Sequence, residues 1–181
     1  MPTVFKSIIA FLVLTLTLNN SALAHESNIT DAIDSKTIIV VRHAEKLNDG
    51  TRDPQLSDKG YQQAQALAET LTALTVSQAI ASNYQRTQLT LKPLAANHHI
   101  SVTIVGTKDG IETHIAEIVA LVDSSSGNSV IAGHSNTVPL IIKALGGPQI
   151  EALDESSYGG LYQLTIHKSG EISLEKSHFS Q

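Results

Sequence analysis

Two arginines and two histidines in this chain stand where chemistry could use them together. Arg42 and His43 end an apolar run, Arg86 opens a helical stretch after a second run, and His134 ends a third. An arginine offers a planar fork of N–H donors that fits the oxygens of a phosphoryl group, and two such forks can share one tetrahedral anion. A neutral imidazole held at one ring nitrogen presents the other as a nucleophile. A second histidine can donate to a phosphoryl oxygen, and N–H groups where a helix begins near Asn136 add anion donors. Singly, such residues are more often surface charges or packed polar groups. The information lies in their coincidence.

The elements that must position them follow from periodicity. Thr37, Ile38, Ile39, Val40 and Val41 form an unbroken apolar, β-branched run, as in a strand covered on both faces. Further strands are predicted at 78–82, 100–105 and 129–133, and a hairpin at 161–167 and 171–176, joined through Lys168, Ser169 and Gly170. Helices are predicted between them. One starts after Ser57 as N-cap, with Tyr61, Ala64, Leu67, Ala68, Leu71 and Leu74 on its apolar face. One covers 83–96, shortened or bent by Pro93; one carries Ile111, Ile115, Ile118, Val119 and Val122; one runs 137–145 and closes at Gly146, Gly147 and Pro148. Strands alternating with helices, then a hairpin, predict a three-layer α/β sandwich around a mostly parallel sheet with an antiparallel edge. If the sheet is parallel, Arg42, His43, Arg86 and His134 all emerge at its carboxyl edge, where ligand crevices of open α/β sheets lie.

Composition narrows the function classes. The chain has 181 residues, with 12 Lys plus Arg against 17 Asp plus Glu, a formal charge of −5. Lys6, the apolar stretch from Ile8 to Leu18 and the Ala22-Leu23-Ala24 pattern have the form of a signal peptide cleaved after Ala24. Residues 1–24 are therefore expected to be removed, 25–36 to form a loose arm, and 37–181 to form a single domain in the periplasm. Only Lys6 among the charged residues precedes His25, so the mature chain carries 11 against 17, a formal −6. No basic run marks a nucleic-acid partner, and no later segment is apolar enough for stable membrane insertion. With no cysteine, disulfides and thiolate chemistry are excluded.

The motifs resemble the histidine phosphatase superfamily, the phosphoglycerate-mutase-like fold. Its Arg-His-Gly-Glu signature appears as Arg42, His43, Ala44, Glu45, with alanine in place of the usual glycine. Its Ser-x-x-x-Arg-Thr element appears as Ser82, Arg86, Thr87, and its second histidine as Gly133, His134, Ser135, Asn136. Leu56-Ser57-Asp58-Lys59-Gly60 also matches, so the resemblance spans 37 to about 176. It implies a phosphohistidine intermediate on His43, with Arg42, Arg86 and His134 binding the phosphoryl group, and no metal or other cofactor.

Some members carry an acidic residue between the third strand and the next helix as general acid. Asp109 and Glu112 occupy that region, and Glu112 is the expected acid, although its place also suits a charge favouring a helix N-terminus. Glu45 is expected to orient its loop, and the resemblance places Asp154, Glu155 and Tyr158 near the pocket rim. The substrates implied are small or lipopolysaccharide-linked phosphomonoesters. Three other classes fit parts of the pattern: a phospholigand-binding protein without turnover, a phosphomutase, and a metallohydrolase using His43, Glu45 and His134.

Overall fold

The computed structural model describes residues 35–179, so the expected signal peptide and nearly all of the arm lie outside the described residues. Six strands and four helices follow in order: β1 Lys36–Arg42, α1 Asp58–Thr70, β2 Val76–Ser82, α2 Gln85–Asn97, β3 Val102–Val105, α3 Ile111–Asp123, β4 Asn128–Gly133, α4 Val138–Ala144, β5 Gly160–Ile166 and β6 Ile172–His178. They form one sheet in the order β3-β2-β4-β1-β5-β6. β1 to β4 are mutually parallel, whereas β5 runs antiparallel to β1 and β6 to β5. The sheet is thus the expected one, a parallel body with an antiparallel edge. Lys36, assigned to the arm by sequence, already pairs with Ile166.

The unbroken apolar run of β1 has a direct structural meaning. Side chains alternate across a strand. Ile39 and Val41 enter one core with Leu67 and Ala68 of α1 and Leu91 and Leu94 of α2. Ile38 and Val40 enter the other with Ile118 and Val122 of α3 and Ile141 and Ile142 of α4. All four β1 side chains are fully buried, and burying each contributes about 1.5–3 kcal/mol. Two helices on each face make the three layers.

Local chemistry explains the helix starts. Ser57 caps α1, its Oγ accepting from the Gly60 N–H at 3.0 Å. The same hydroxyl donates to the Glu45 carboxylate at 2.8 Å, which ties the helix to the loop leaving β1. Gly60 is required by close approach: a Cβ there would lie 1.9 Å from the Glu45 carbonyl oxygen. Tyr61 departs from the predicted apolar face. It is exposed, and its hydroxyl donates to Gln55 Oε1. α2 has no side-chain cap of its own, but Asp53 accepts from the Gln85 N–H at 3.0 Å. α2 continues four residues beyond Pro93 to Asn97. The alanine in the Arg-His-Ala-Glu motif is accommodated in a small apolar cluster with Leu56 and Ala64.

Among the described residues, no helix is long and apolar enough to cross a membrane.

Candidate active site

β1, β2 and β4 are neighbours in the parallel part of the sheet, so their carboxyl ends lie about 4.8 Å apart, side by side. That spacing brings His43, Arg86 and His134 to one cavity of about 400 Å³. The ladder between β1 and β4 runs one residue past β1, with the His43 N–H donating to Gly133 O at 2.9 Å. Gly133 allows α4 to close down on β4, since a Cβ there would lie 2.8 Å from Thr137 Oγ1. The two imidazoles stand edge to face, with ring centroids 5.3 Å apart.

Hydrogen bonds fix both tautomers. His43 Nδ1 lies 2.8 Å from the Ala44 carbonyl, which only accepts, so Nδ1 carries the hydrogen and Nε2 the lone pair. Burial chiefly, with the Arg86 and Arg42 guanidiniums and the neighbouring His134 adding to it and the Ala44 bond opposing it, lowers the His43 pKa to about 3. His43 is therefore a neutral imidazole well into the acid range. Arg86 Nη2 lies 3.4 Å from His134 Nδ1, and a guanidinium only donates, so Nδ1 accepts. His134 Nε2–H then donates to Ser82 Oγ at 2.9 Å, Ser82 to Thr87 Oγ1 at 2.9 Å, and Thr87 to the Tyr84 carbonyl at 2.8 Å. This relay gives the Ser-x-x-x-Arg-Thr element its structural sense: Ser82 and Thr87 orient the histidine while Arg86 faces its other nitrogen. Burial, then Arg86, also lowers the His134 pKa, to about 4.

Arg86 stacks over the Tyr84 ring at 4.3 Å and pairs with Asp53 at 3.5 Å. Arg42 is placed differently. It is 3% exposed and borders a second cavity of about 490 Å³ beneath the 150–157 segment, one that contains neither His43 nor His134. Its Nη1 donates to the carbonyls of Asp154 and Ser157 at 2.8 and 2.9 Å, and its Nη2 to Glu155 Oε2 at 3.0 Å. Its guanidinium also stacks on Tyr158, whose ring lies 6.1 Å from that of His43.

Glu112 does not join the group. It is exposed on the first turn of α3, with Oε2 turned back over Gly110, while Ile111 and His114 line the cavity. Residue 112 lies about 100° around the helix from 111, which carries it off the face turned to the site. Asn136 does line the cavity. The N–H groups of Thr137 and Val138 close onto the His134 carbonyl instead of pointing into it. Glu45 turns away to Ser57 and Lys59, and among the described residues no cluster of three or more His, Cys, Asp or Glu is arranged to hold a metal.

His114 was no sequence candidate for this site, and Ser135 figured only as part of the Gly133-to-Asn136 motif, yet both line the cavity. His114 is buried, bonds through Nδ1 to the Gly106 carbonyl at 3.0 Å and leaves Nε2 as its other ring nitrogen. Its signal was position: a histidine three residues after Ile111 and four before Ile118, on the helix's apolar stripe.

Residues 38–115 match the family model of the histidine phosphatase superfamily (branch 1), a span that holds the Arg-His-Ala-Glu motif and Arg86. Over that span the chain is similar to the histidine phosphatase superfamily. Its second histidine, His134, lies beyond the matched span and is joined to it by the Arg86 and Ser82 contacts. Among solved structures, the protein histidine phosphatase SixA complexed with tungstate is similar at 15% identity and a TM-score of 0.62, over 79% of this chain and 97% of that one. A mycobacterial glucosyl-3-phosphoglycerate phosphatase is similar at 15% identity and a TM-score of 0.56, over 81% of this chain and all of that one. At these identities the likeness is one of fold. No curated protein matches the sequence.

Proposed function

We propose that this protein is a phosphomonoester hydrolase of the histidine phosphatase type that works through a phosphohistidine on His43. The observation that carries the reading is the His43 ring itself. It is buried and neutral, held through Nδ1 by the Ala44 carbonyl, with Nε2 free beside His134 and Arg86.

In the first step the Nε2 lone pair forms a bond to phosphorus and the ester P–O bond breaks. The leaving oxygen takes a proton from a group in the cavity. In the second step a water oxygen attacks phosphorus, the N–P bond breaks, the water's proton passes to a cavity base, and phosphate departs. Arg86 faces the developing charge on the phosphoryl oxygens. No step in this scheme uses a metal ion. Export with cleavage after Ala24 belongs to the same reading and directs it to periplasmic substrates, small phosphomonoesters or phosphate carried on lipopolysaccharide.

A phospholigand-binding protein without turnover is the second reading, favoured by one observation: the expected acid, Glu112, lies outside the cavity. One experiment separates the two. The mature chain is incubated with a panel of phosphomonoesters, with and without EDTA, and quenched in alkali during turnover. The proposal expects EDTA-insensitive hydrolysis and a base-stable, acid-labile phosphate on the His43 peptide. Both should vanish in a folded His43→Ala variant. Label on another residue, or turnover unchanged in the variant, would refute it; binding without turnover would favour the second reading.

A further inference from the structure

The donors that a phosphoryl group needs are not all free. Glu155 lines the His43 cavity from the segment between α4 and β5. Its Oε2 lies 3.0 Å from Arg42 Nη2, and its Oε1 accepts from the Ser135 hydroxyl. One carboxylate thus bridges a cation at the end of β1 and a hydroxyl just after β4, a span that two phosphoryl oxygens would cover.

We infer that Glu155 is a specificity-determining residue: a resident carboxylate that holds the Arg42 and Ser135 donors and yields them only to a ligand of greater negative charge. The inference rests on the reading of this cavity as a phosphoryl pocket. Four features support exchange at this position. Arg42 Nη1 is committed to two backbone carbonyls, so Nη2 is the arm with a replaceable partner. The cation is fixed in the floor at 3% exposure, whereas the Glu155 side chain is 79% exposed and can return to water. The buried guanidinium is not left unpaired by the exchange, because the incoming anion takes the place of the carboxylate. A bound dianion and an ionised Glu155 in one cavity would repel each other, so arrival of one favours departure of the other.

The consequence is a charge threshold. A monoanionic carboxylate or phosphodiester offers Arg42 no more than Glu155 already does. A phosphomonoester dianion, with three terminal oxygens and twice the charge, can displace it. Glu155 therefore selects monoesters over diesters before any chemistry takes place.

The test is calorimetric binding of inorganic phosphate and of dimethyl phosphate to the full chain, which separates affinity from turnover. Glu155→Gln keeps the size and an acceptor for Ser135 but removes the competing charge. It should tighten phosphate binding by at least about fivefold, more than an exposed pair would give because the cation is buried, and narrow the preference for phosphate over dimethyl phosphate. The gain should disappear in an Arg42→Ala background. Unchanged or weaker phosphate binding in Glu155→Gln would overturn the proposal and make Glu155 a residue that merely holds Arg42. Arg86→Ala is the control for the pocket. If it leaves phosphate affinity of the parent protein unaltered, the phosphoryl-pocket reading fails and the proposal with it.

Discussion

The two neutral histidines give the fold a calculable acid sensitivity. An unfolded chain protonates both near the ordinary value of 6.5, while the folded protein resists until about 3 for His43 and about 4 for His134. Their folded pKa values are depressed, so the unfolded state binds more protons throughout that window. Stability is then fully present above about pH 6.5 and is lost as pH falls toward 4 and 3. Each proton not taken up costs about 1.4 kcal/mol per pH unit. Between pH 7 and pH 5 this comes to about 2 kcal/mol for each histidine and about 4 kcal/mol for the pair. Urea unfolding followed by circular dichroism at the two pH values measures it. His43→Gln and His134→Gln should each remove about half of the pH-dependent loss, whatever they do to stability at pH 7. Loss of as much stability between pH 7 and pH 5 in either variant as in the parent would rule that histidine out as a source of the slope. A group that is not titrating differently in the two states cannot be the source of the slope.

Two further outcomes follow from the site's supports. Gly60→Ala would drive a Cβ against the Glu45 carbonyl oxygen, so it should destabilise by about 1–3 kcal/mol or more and lower activity by shifting the loop after His43; thermal denaturation and a phosphatase assay check both, and an unchanged melting temperature would count against the contact. Glu112→Gln should change kcat/KM by less than about twofold on both p-nitrophenyl phosphate and an alkyl phosphate, since only a group in the cavity can protonate the leaving oxygen. A tenfold loss confined to the alkyl ester would restore Glu112 as the acid.

The parts of this molecule legible in its sequence are those where one residue's chemistry answers to one local rule. The apolar run of β1 announced a strand buried on both faces, Ser57 announced a helix start, and polar residues at strand ends announced the edge where a cavity opens. What stayed hidden depends on rotation about helices and on contacts between distant segments. Glu112 and His114 differ by two positions, yet about 200° of helix separates the solvent side from the cavity side. Tyr61 obeys the apolar spacing of α1, but its hydroxyl finds Gln55 at the surface. Arg42 looked like a free anion donor because nothing near it in sequence foretells Asp154, Glu155 and Ser157, which reach it across more than a hundred residues.

The position of β1 has a consequence for how the molecule comes together. Among the described residues the strand precedes every other, yet it lies inside the sheet, with Ile38 opposite Ser129 on one side and Leu164 on the other. Neither partner exists until most of the chain has been made, and such non-local pairings close slowly. Until then the four most apolar residues of the strand present two unpaired edges, a template for pairing with another molecule. His43 rides on this segment, and its backbone is tied in place only when Gly133 arrives beside it. The segment that carries the proposed nucleophile thus stays unpaired until late, and the site cannot assemble ahead of the sheet.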